Sequence, residues 1–233
     1  MSARPSWPEA VLFDMDGTLV DSEKLWDIAL QDLATHYGGT LSPGARAAMV
    51  GTNMGVSMKI FLDDLGLETG QAQLAESQRL VEERTKELFL QGLPWRRGAQ
   101  ELLHEVHAAG LPTALVTSTH RHLVDVALTT LGPEYFDVVV TGDEVDQAKP
   151  HPRPYLQAAA LLGVDPGRCV AIEDSPVGVA SAVAAGCAVL VVPSEVEVPE
   201  GNGRTIRPSL AGVNLAFLQG LARDGTAATS EVR

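Results

Sequence analysis

Short apolar runs and amphipathic stripes alternate along this chain. The first run, Ala10-Val11-Leu12-Phe13, lies within residues 9–16 and ends in two acids and a glycine ("VLFDMDGTL"), the pattern of a buried strand. Helical spacing follows. Trp26, Leu30, Leu33 and Tyr37 recur through "SEKLWDIALQDLATHYGG", where Gly38-Gly39 supplies a stop. Two shorter helices are predicted over 43–50 and 55–65. Leu74, Val81 and Leu88 then stripe a long amphipathic helix whose other face carries Glu, Arg and Lys.

From about Leu93 the rhythm changes. The helix "GAQELLHEVHAAG" precedes the strand "PTALVTS", a helix from about Arg121 precedes "FDVVVTGD", "PYLQAAALLG" precedes "RCVAIED", and "SPVGVASAVAAG" precedes "CAVLVVP". Continuous apolar strands joined by helical crossovers predict an α/β fold, a doubly wound parallel sheet covered on both faces. The first strand shares this character but is cut off by the helical stretch 21–92, which reads as an inserted all-helical cap. The division is a core of 8–20 plus 93–222, a cap of 21–92, and a flexible tail of 223–233 with little to bury. "GNGRT" reads as a surface turn.

Composition narrows the function. The 233 residues suffice for one large domain or a domain with an insertion, and 45% hydrophobic content is ordinary for a core. A net charge of −13, with no Lys/Arg cluster, argues against nucleic-acid partners and against an anionic membrane surface. Cys169 and Cys187 sit in apolar runs without a CxxC and read as buried, reduced thiols. The start lacks the apolar core of a secretion signal and no run approaches the ~18 residues of a membrane span, so a cytoplasmic protein is expected. The helical stripes assign no oligomeric state.

In a parallel sheet, ligands gather beyond the carboxyl ends of the strands. Those ends deliver Asp14 and Asp16, Thr117 and Ser118, and Glu173 and Asp174, while "AKPHPRPY" places Lys149 before a helix. This set suits displacement at phosphorus. Asp14 can attack as a carboxylate once its repulsion from a phosphate dianion is suppressed, and Mg²⁺ on Asp14, Asp174 and a backbone carbonyl of the first loop, with Glu173 behind those ligands, would do that. Lys149, the Thr117 hydroxyl and the Ser118 N–H would hold the phosphoryl oxygens. Asp16 would protonate the leaving alkoxide and then activate water. His120 and Arg121, just past the Thr117 loop, are candidates to touch the leaving group. Trp26 and the loop "VGTNMGVSMK", with Gly51 and Gly55 to let it turn, would meet it from the cap. His104 and His107 in "HEVH" do not match HExxH and read as a wet helix face.

The motifs "DMDGTLVDS", "LVTST", "KPHPRPY" and "EDSPVGVASAVAAG", in that order over about residues 8–215, resemble those of haloacid dehalogenase superfamily phosphatases. The resemblance is to the helical-cap subfamily that includes β-phosphoglucomutase and small sugar-phosphate phosphatases. It implies a Rossmann-like core, a small phosphorylated metabolite as substrate, and Mg²⁺. It further implies Asp14 as nucleophile and metal ligand, Asp16 as acid/base with its carbonyl on the metal, Thr117 and Lys149 as phosphate binders, and Glu173 and Asp174 at the metal. Two other activities use this fold. A hexose-phosphate mutase must hold a second phosphate, and its members carry a His where this chain has Trp26 and an Arg where an ungapped alignment gives Met54. A catalytically silent binding protein would have lost the nucleophile or a metal acid, and all are present here. A cap over the site would close to exclude water, hinged near Val20-Asp21 and Gly92-Pro94.

Overall fold

The computed structural model describes residues 7–50 and 52–225. Its frame is one sheet of six parallel strands: β1 (Ala10–Phe13), β2 (Thr113–Val116), β3 (Val138–Val140), β4 (Cys169–Glu173), β5 (Ala188–Val191) and β6 (Arg204–Ile206). Their order is β3-β2-β1-β4-β5-β6. β1 therefore lies in the middle, with Val11 registered against Thr113 on one side and Val170 on the other. A strand flanked on both edges and covered on both faces meets no water, which is why β1 is an unbroken apolar run and fully buried. Alternation divides it. Val11 and Phe13 pack with helices α5 (Ala99–Ala108), α6 (Arg121–Leu131) and α9 (Leu215–Gly225), while Ala10 and Leu12 pack with α7 (Arg153–Leu162) and α8 (Pro176–Ala184). On that second face Ala10, Ala114 and Ala171 are small enough to leave room for the buried ring of Tyr155.

Between β1 and β2 come four further helices, α1 (Glu23–His36), α2 (Pro43–Met49), α3 (Met54–Asp64) and α4 (Gln71–Phe89). They bury a separate cluster that includes Leu30, Leu33, Phe61, Leu62 and Val81. The two connections from these helices to the sheet run side by side. The Asp21 N–H donates to the Pro94 carbonyl and the Arg96 N–H to the Leu19 carbonyl, each at 2.8 Å, and Val20 bridges antiparallel to Trp95. The segments expected to hinge are thus hydrogen-bonded to each other.

Four expectations differ from the structure. β1 ends at Phe13 rather than at residue 16, because Val20 returns its N–H to the Met15 carbonyl and its carbonyl to the Gly17 N–H, closing a turn. "GNGRT" is only partly a turn, since Arg204 opens β6, an edge strand of three residues with a polar, part-exposed face and too short to show a period. α9 continues to Gly225, so the first three residues of the expected tail, 223–225, are helical, and residues 226–233 lie outside those described. Gly55 stands in the first turn of α3 rather than in a loop, and Gly51 lies outside the described residues.

Candidate active site

The carboxyl ends of β1, β2 and β4 bring the polar residues of the four motifs together. Asp14 follows β1 directly and its Oδ1 accepts from Lys149 Nζ at 2.8 Å. The same ammonium donates to Glu173 Oε1 at 2.6 Å and to the Val116 carbonyl at 2.9 Å, so all three of its protons are used. Tyr155 Oη donates to Glu173 Oε1 at 2.5 Å, and Glu173 Oε2 accepts from the Asp174 N–H at 3.3 Å. Each of Asp14, Lys149, Glu173 and Asp174 is buried.

Two glycines make the close approach possible. A Cβ on Gly17 would stand 2.0 Å from Asp174 Oδ2, and Gly17 also takes φ +77°, a left-handed conformation that glycine alone adopts without strain. A Cβ on Gly178 in α8 would stand 2.0 Å from Glu173 Oε2.

Asp16 has a different environment. Its Oδ1 accepts from Ser22 Oγ at 2.6 Å and from Trp26 Nε1 at 3.3 Å, and its Oδ2 accepts from Thr119 Oγ1 at 2.7 Å and from Thr117 Oγ1 at 3.3 Å. These four donors come from two separate stretches of chain and none carries charge. Ser22 holds the N-cap position of α1, but its backbone is helical there and its hydroxyl caps nothing; the hydroxyl is spent on Asp16. Thr117 does not cap α6 either. His120 is the N-cap residue, and Thr117 Oγ1 accepts from the Thr119 N–H.

The electrostatics at the sheet edge are unbalanced. Asp14, Glu173 and Asp174 face the single cation Lys149, which leaves two negative charges uncompensated when all are ionised. Burial and then the Glu173 charge push the Asp14 carboxyl up to about 7, against the opposing pull of Lys149. Asp174 is raised well above the carboxylate range by burial, Asp14 and Glu173. Burial works to lower the Lys149 ammonium, but Asp14 and Glu173 outweigh it and hold it above its usual range.

A divalent cation fits this set. One carboxylate oxygen each from Asp14, Glu173 and Asp174 lie within 4.8 Å of one another, and Asp14 Oδ2 is buried with no hydrogen-bond partner. An orphaned anionic oxygen beside surplus negative charge is what a hard cation with oxygen ligands relieves. Asp14 and Asp174 face a cavity of about 130 Å³, whereas Glu173 sits behind Lys149 and Tyr155.

The cavity opens between the sheet edge and the helical layer. Thr117, Ser118, Thr119 and Lys149 line its floor, and Trp26, Leu30, Met49, Met54 and Met58 line its roof, together with the ion pair of Arg46 and Glu23. His120 also lines it, with Nδ1 turned to Glu82 Oε1 at 2.8 Å. The expectation for Arg121 is corrected. Its guanidinium donates to Glu144 Oε2 at 2.5 Å and to the Val139 carbonyl at 3.0 Å, so it is spent on the core surface and does not line the cavity. His104 and His107 pack on the Tyr135 ring. Ser22, Thr119 and Tyr155 all lie within the four motifs, yet a hydroxyl beside a charged residue does not reveal which acid it serves.

Fold and site together define a hydrolase built on a doubly wound sheet, with a strand-end carboxylate as the candidate nucleophile and a second acid two residues on. A family model described as haloacid dehalogenase-like hydrolase matches residues 11–192. Protein CbbY of Rhodobacter capsulatus is 35% identical over 198 residues, covering 80% of this chain and 86% of that protein. Hexitol phosphatase A of Escherichia coli is 34% identical over 192 residues, 82% and 86% of the two chains. The crystal structure of CbbY from Rhodobacter sphaeroides in complex with xylulose-(1,5)bisphosphate superposes with a TM-score of 0.81 at 30% identity, covering 90% of this chain and 98% of that one. The chain belongs to the haloacid dehalogenase-like hydrolase family, and it is a phosphomonoester hydrolase of that family.

Proposed function

We propose that this protein is a Mg²⁺-dependent phosphatase of a small sugar or polyol monophosphate that works through an aspartyl phosphate on Asp14. The observation that carries the reading is the state of Asp14, one oxygen fixed by Lys149 and the other buried and unpartnered beside Asp174 at the cavity. Asp14 and Asp174 would hold the ion, with the Asp16 carbonyl, and Glu173 would support them by anchoring Lys149. Bound Mg²⁺ supplies the positive charge that screens the carboxylates from the phosphate dianion.

Asp14 attacks phosphorus as the bond to the leaving oxygen breaks. Lys149 offsets the charge on the phosphoryl oxygens through its fixed ammonium, the Ser118 N–H donates to them, and the Thr117 hydroxyl turns from its 3.3 Å bond with Asp16 to do the same. Asp16, held by Ser22, Trp26 and Thr119, gives a proton to the departing alkoxide and then accepts one from the water that cleaves the acyl phosphate. Residues 21–92 act as a cap, with Trp26 and the stretch from Thr52 to Met58 shaping the leaving-group side. The free, buried Cys169 and Cys187 suit a reducing cytoplasm.

The cap wall favours a neutral leaving group over one with a second phosphate. Among the described residues lining the cavity, Arg46 is the one cation contributed by the cap, and it is paired with Glu23 at 2.7 Å and with Asp27. A phosphate placed there would face a cation already neutralised. The same observation disfavours a mutase, which must seat a second phosphate. Release of free phosphate from matched monophosphates and bisphosphates, with Mg²⁺ and again with EDTA, tests the reading. Monophosphates are expected to lead by at least about tenfold in kcat/KM, the equivalent of ~1.4 kcal/mol. Turnover that survives EDTA, or a preference for bisphosphates, overturns it.

A further inference from the structure

A second cluster of ligating side chains joins the helical layer to the sheet-bearing half, away from the carboxylates at the strand ends. Glu82 projects from α4. His120 is the N-cap residue of α6 and His122 lies in that helix's first turn. His120 Nδ1 is 2.8 Å from Glu82 Oε1, and His122 Nε2 is 3.6 Å from Glu82 Oε2. One ligand atom from each of the three lies within 4.8 Å of the other two. Gln78, one turn earlier on α4, donates its amide to Glu82 Oε1 at 3.3 Å and lies 3.4 Å from His120 Nδ1.

Glu82 is a buried carboxylate, its side chain only 10% exposed, and among the described residues its ion-pair partners are the two imidazoles and no Lys or Arg. A buried carboxylate needs a cation. The imidazoles can supply one by holding a proton or by sharing a metal ion with it, and the arrangement suits the second. Three ligands of a tetrahedral Zn²⁺ at 2.0–2.1 Å stand about 3.3 Å apart, and the 2.8 and 3.6 Å from the two imidazoles to the two Glu82 oxygens bracket that spacing, with the three ligand atoms inside 4.8 Å of one another. Two histidines and a carboxylate are a recurrent zinc set with a fourth position left for water. His122 is 45% exposed, which leaves that side open to solvent and to an entering ion. The nitrogen ligands also separate this cluster from the all-oxygen set at Asp14 and Asp174, which suits Mg²⁺.

We propose that Glu82, His120 and His122 form a binding site for Zn²⁺ or a similar borderline metal that staples cap helix α4 to core helix α6 beside the cavity. An ion held there resists separation of the two layers, so it slows release of product from the closed form. Zn²⁺ is therefore an inhibitor that acts without displacing Mg²⁺.

The test uses the full chain with saturating Mg²⁺. Titration with Co²⁺ is expected to give the intense visible bands of a tetrahedral site, and calorimetry with Zn²⁺ to show one further equivalent bound. E82Q and H122A are expected to lose the bands and to weaken Zn²⁺ binding at least about tenfold, with phosphatase activity in Mg²⁺ alone unchanged. D174N is expected to keep the bands, which separates this site from the catalytic one even in a protein without turnover. Zn²⁺ that halves wild-type turnover should leave H122A, altered at an exposed position, at full rate. The proposal is overturned if no tetrahedral bands form, if E82Q and H122A bind Zn²⁺ as the wild type does, or if the cluster takes up only a proton.

Discussion

At the carboxyl edge of the sheet, Asp14, Lys149, Glu173 and Asp174 are all less than a tenth exposed, and Lys149 bonds both Asp14 and Glu173. On the outer face of α4, Arg79 joins Glu76 and Glu83 in ion pairs that are half-exposed or more. Both regions are dense in opposite charges, yet they bear on function in different ways. Solvent screens the α4 pairs and keeps each side chain's alternatives open. At the sheet edge no water can substitute for a missing partner, so removal of one group leaves another stranded. Buried charge ties folding and chemistry to the same few atoms. Exposed charge ties them to nothing.

Substitutions rank themselves along that contrast. The largest effect is expected for Asp14→Asn, which should lower kcat toward p-nitrophenyl phosphate by at least about 10⁴-fold. Asp16→Asn should instead accumulate a phosphate adduct on Asp14, visible by mass spectrometry after acid quench. An active Asp14→Asn enzyme would break the contrast at its strongest point.

Lys149→Met comes next. Without the ammonium, Asp14 and Glu173 are left buried and facing each other, a loss of about 3–5 kcal/mol at neutral pH. The carboxyl of Asp14 is already up at about 7 with Lys149 in place, and loss of the cation raises it further. A folded state that binds protons more tightly than the unfolded chain gains stability on acidification, and the variant starts to gain at a higher pH than the wild type, so the deficit should shrink as pH falls from alkaline values to about 7 and level off below that. Urea unfolding in EDTA across that range checks the sign. A pH-independent deficit would show that packing, not charge, is what the lysine provides.

Gly178→Ala sharpens the picture with a neutral change. The added methyl meets Glu173, which cannot step aside because Lys149 and Tyr155 hold it, and the expected cost is ~1–3 kcal/mol with a loss of kcat. Smallest of all, Arg79→Ala should move neither the melting temperature nor kcat beyond error, because its partners turn to water when it goes. A clear loss there would mean that the exposed network does more than solvate α4.

Much of the sheet edge is legible in the order of residues along the chain. Asp14, Thr117 and Asp174 each follow an apolar run, and parallel strands share one carboxyl edge, so sequence order alone places these residues together. The direction of a side chain is less legible. His120 and Arg121 are neighbours, but one extends toward Glu82 and the cavity and the other toward Glu144, because entry into α6 rotates successive residues to different sides. Tyr155 falls within the predicted helix "PYLQAAALLG", and only the fold reveals that its hydroxyl reaches Glu173. β6 leaves no signal, since an edge strand has one neighbour and little to bury.

The sequence by itself determined the alternation of strands and helices, the place of the helical insertion after β1, and the residue types delivered to the strand ends. Those features follow from local periodicity, which each segment carries in its own side chains. Tertiary structure decided which charges meet. Lys149 is 135 residues from Asp14 and 24 from Glu173, and Glu82 lies on a different layer from the histidines it faces. Separations of that size are bridged only when whole layers pack, because Coulomb energy depends on distance in space and burial removes the water that would otherwise mask it.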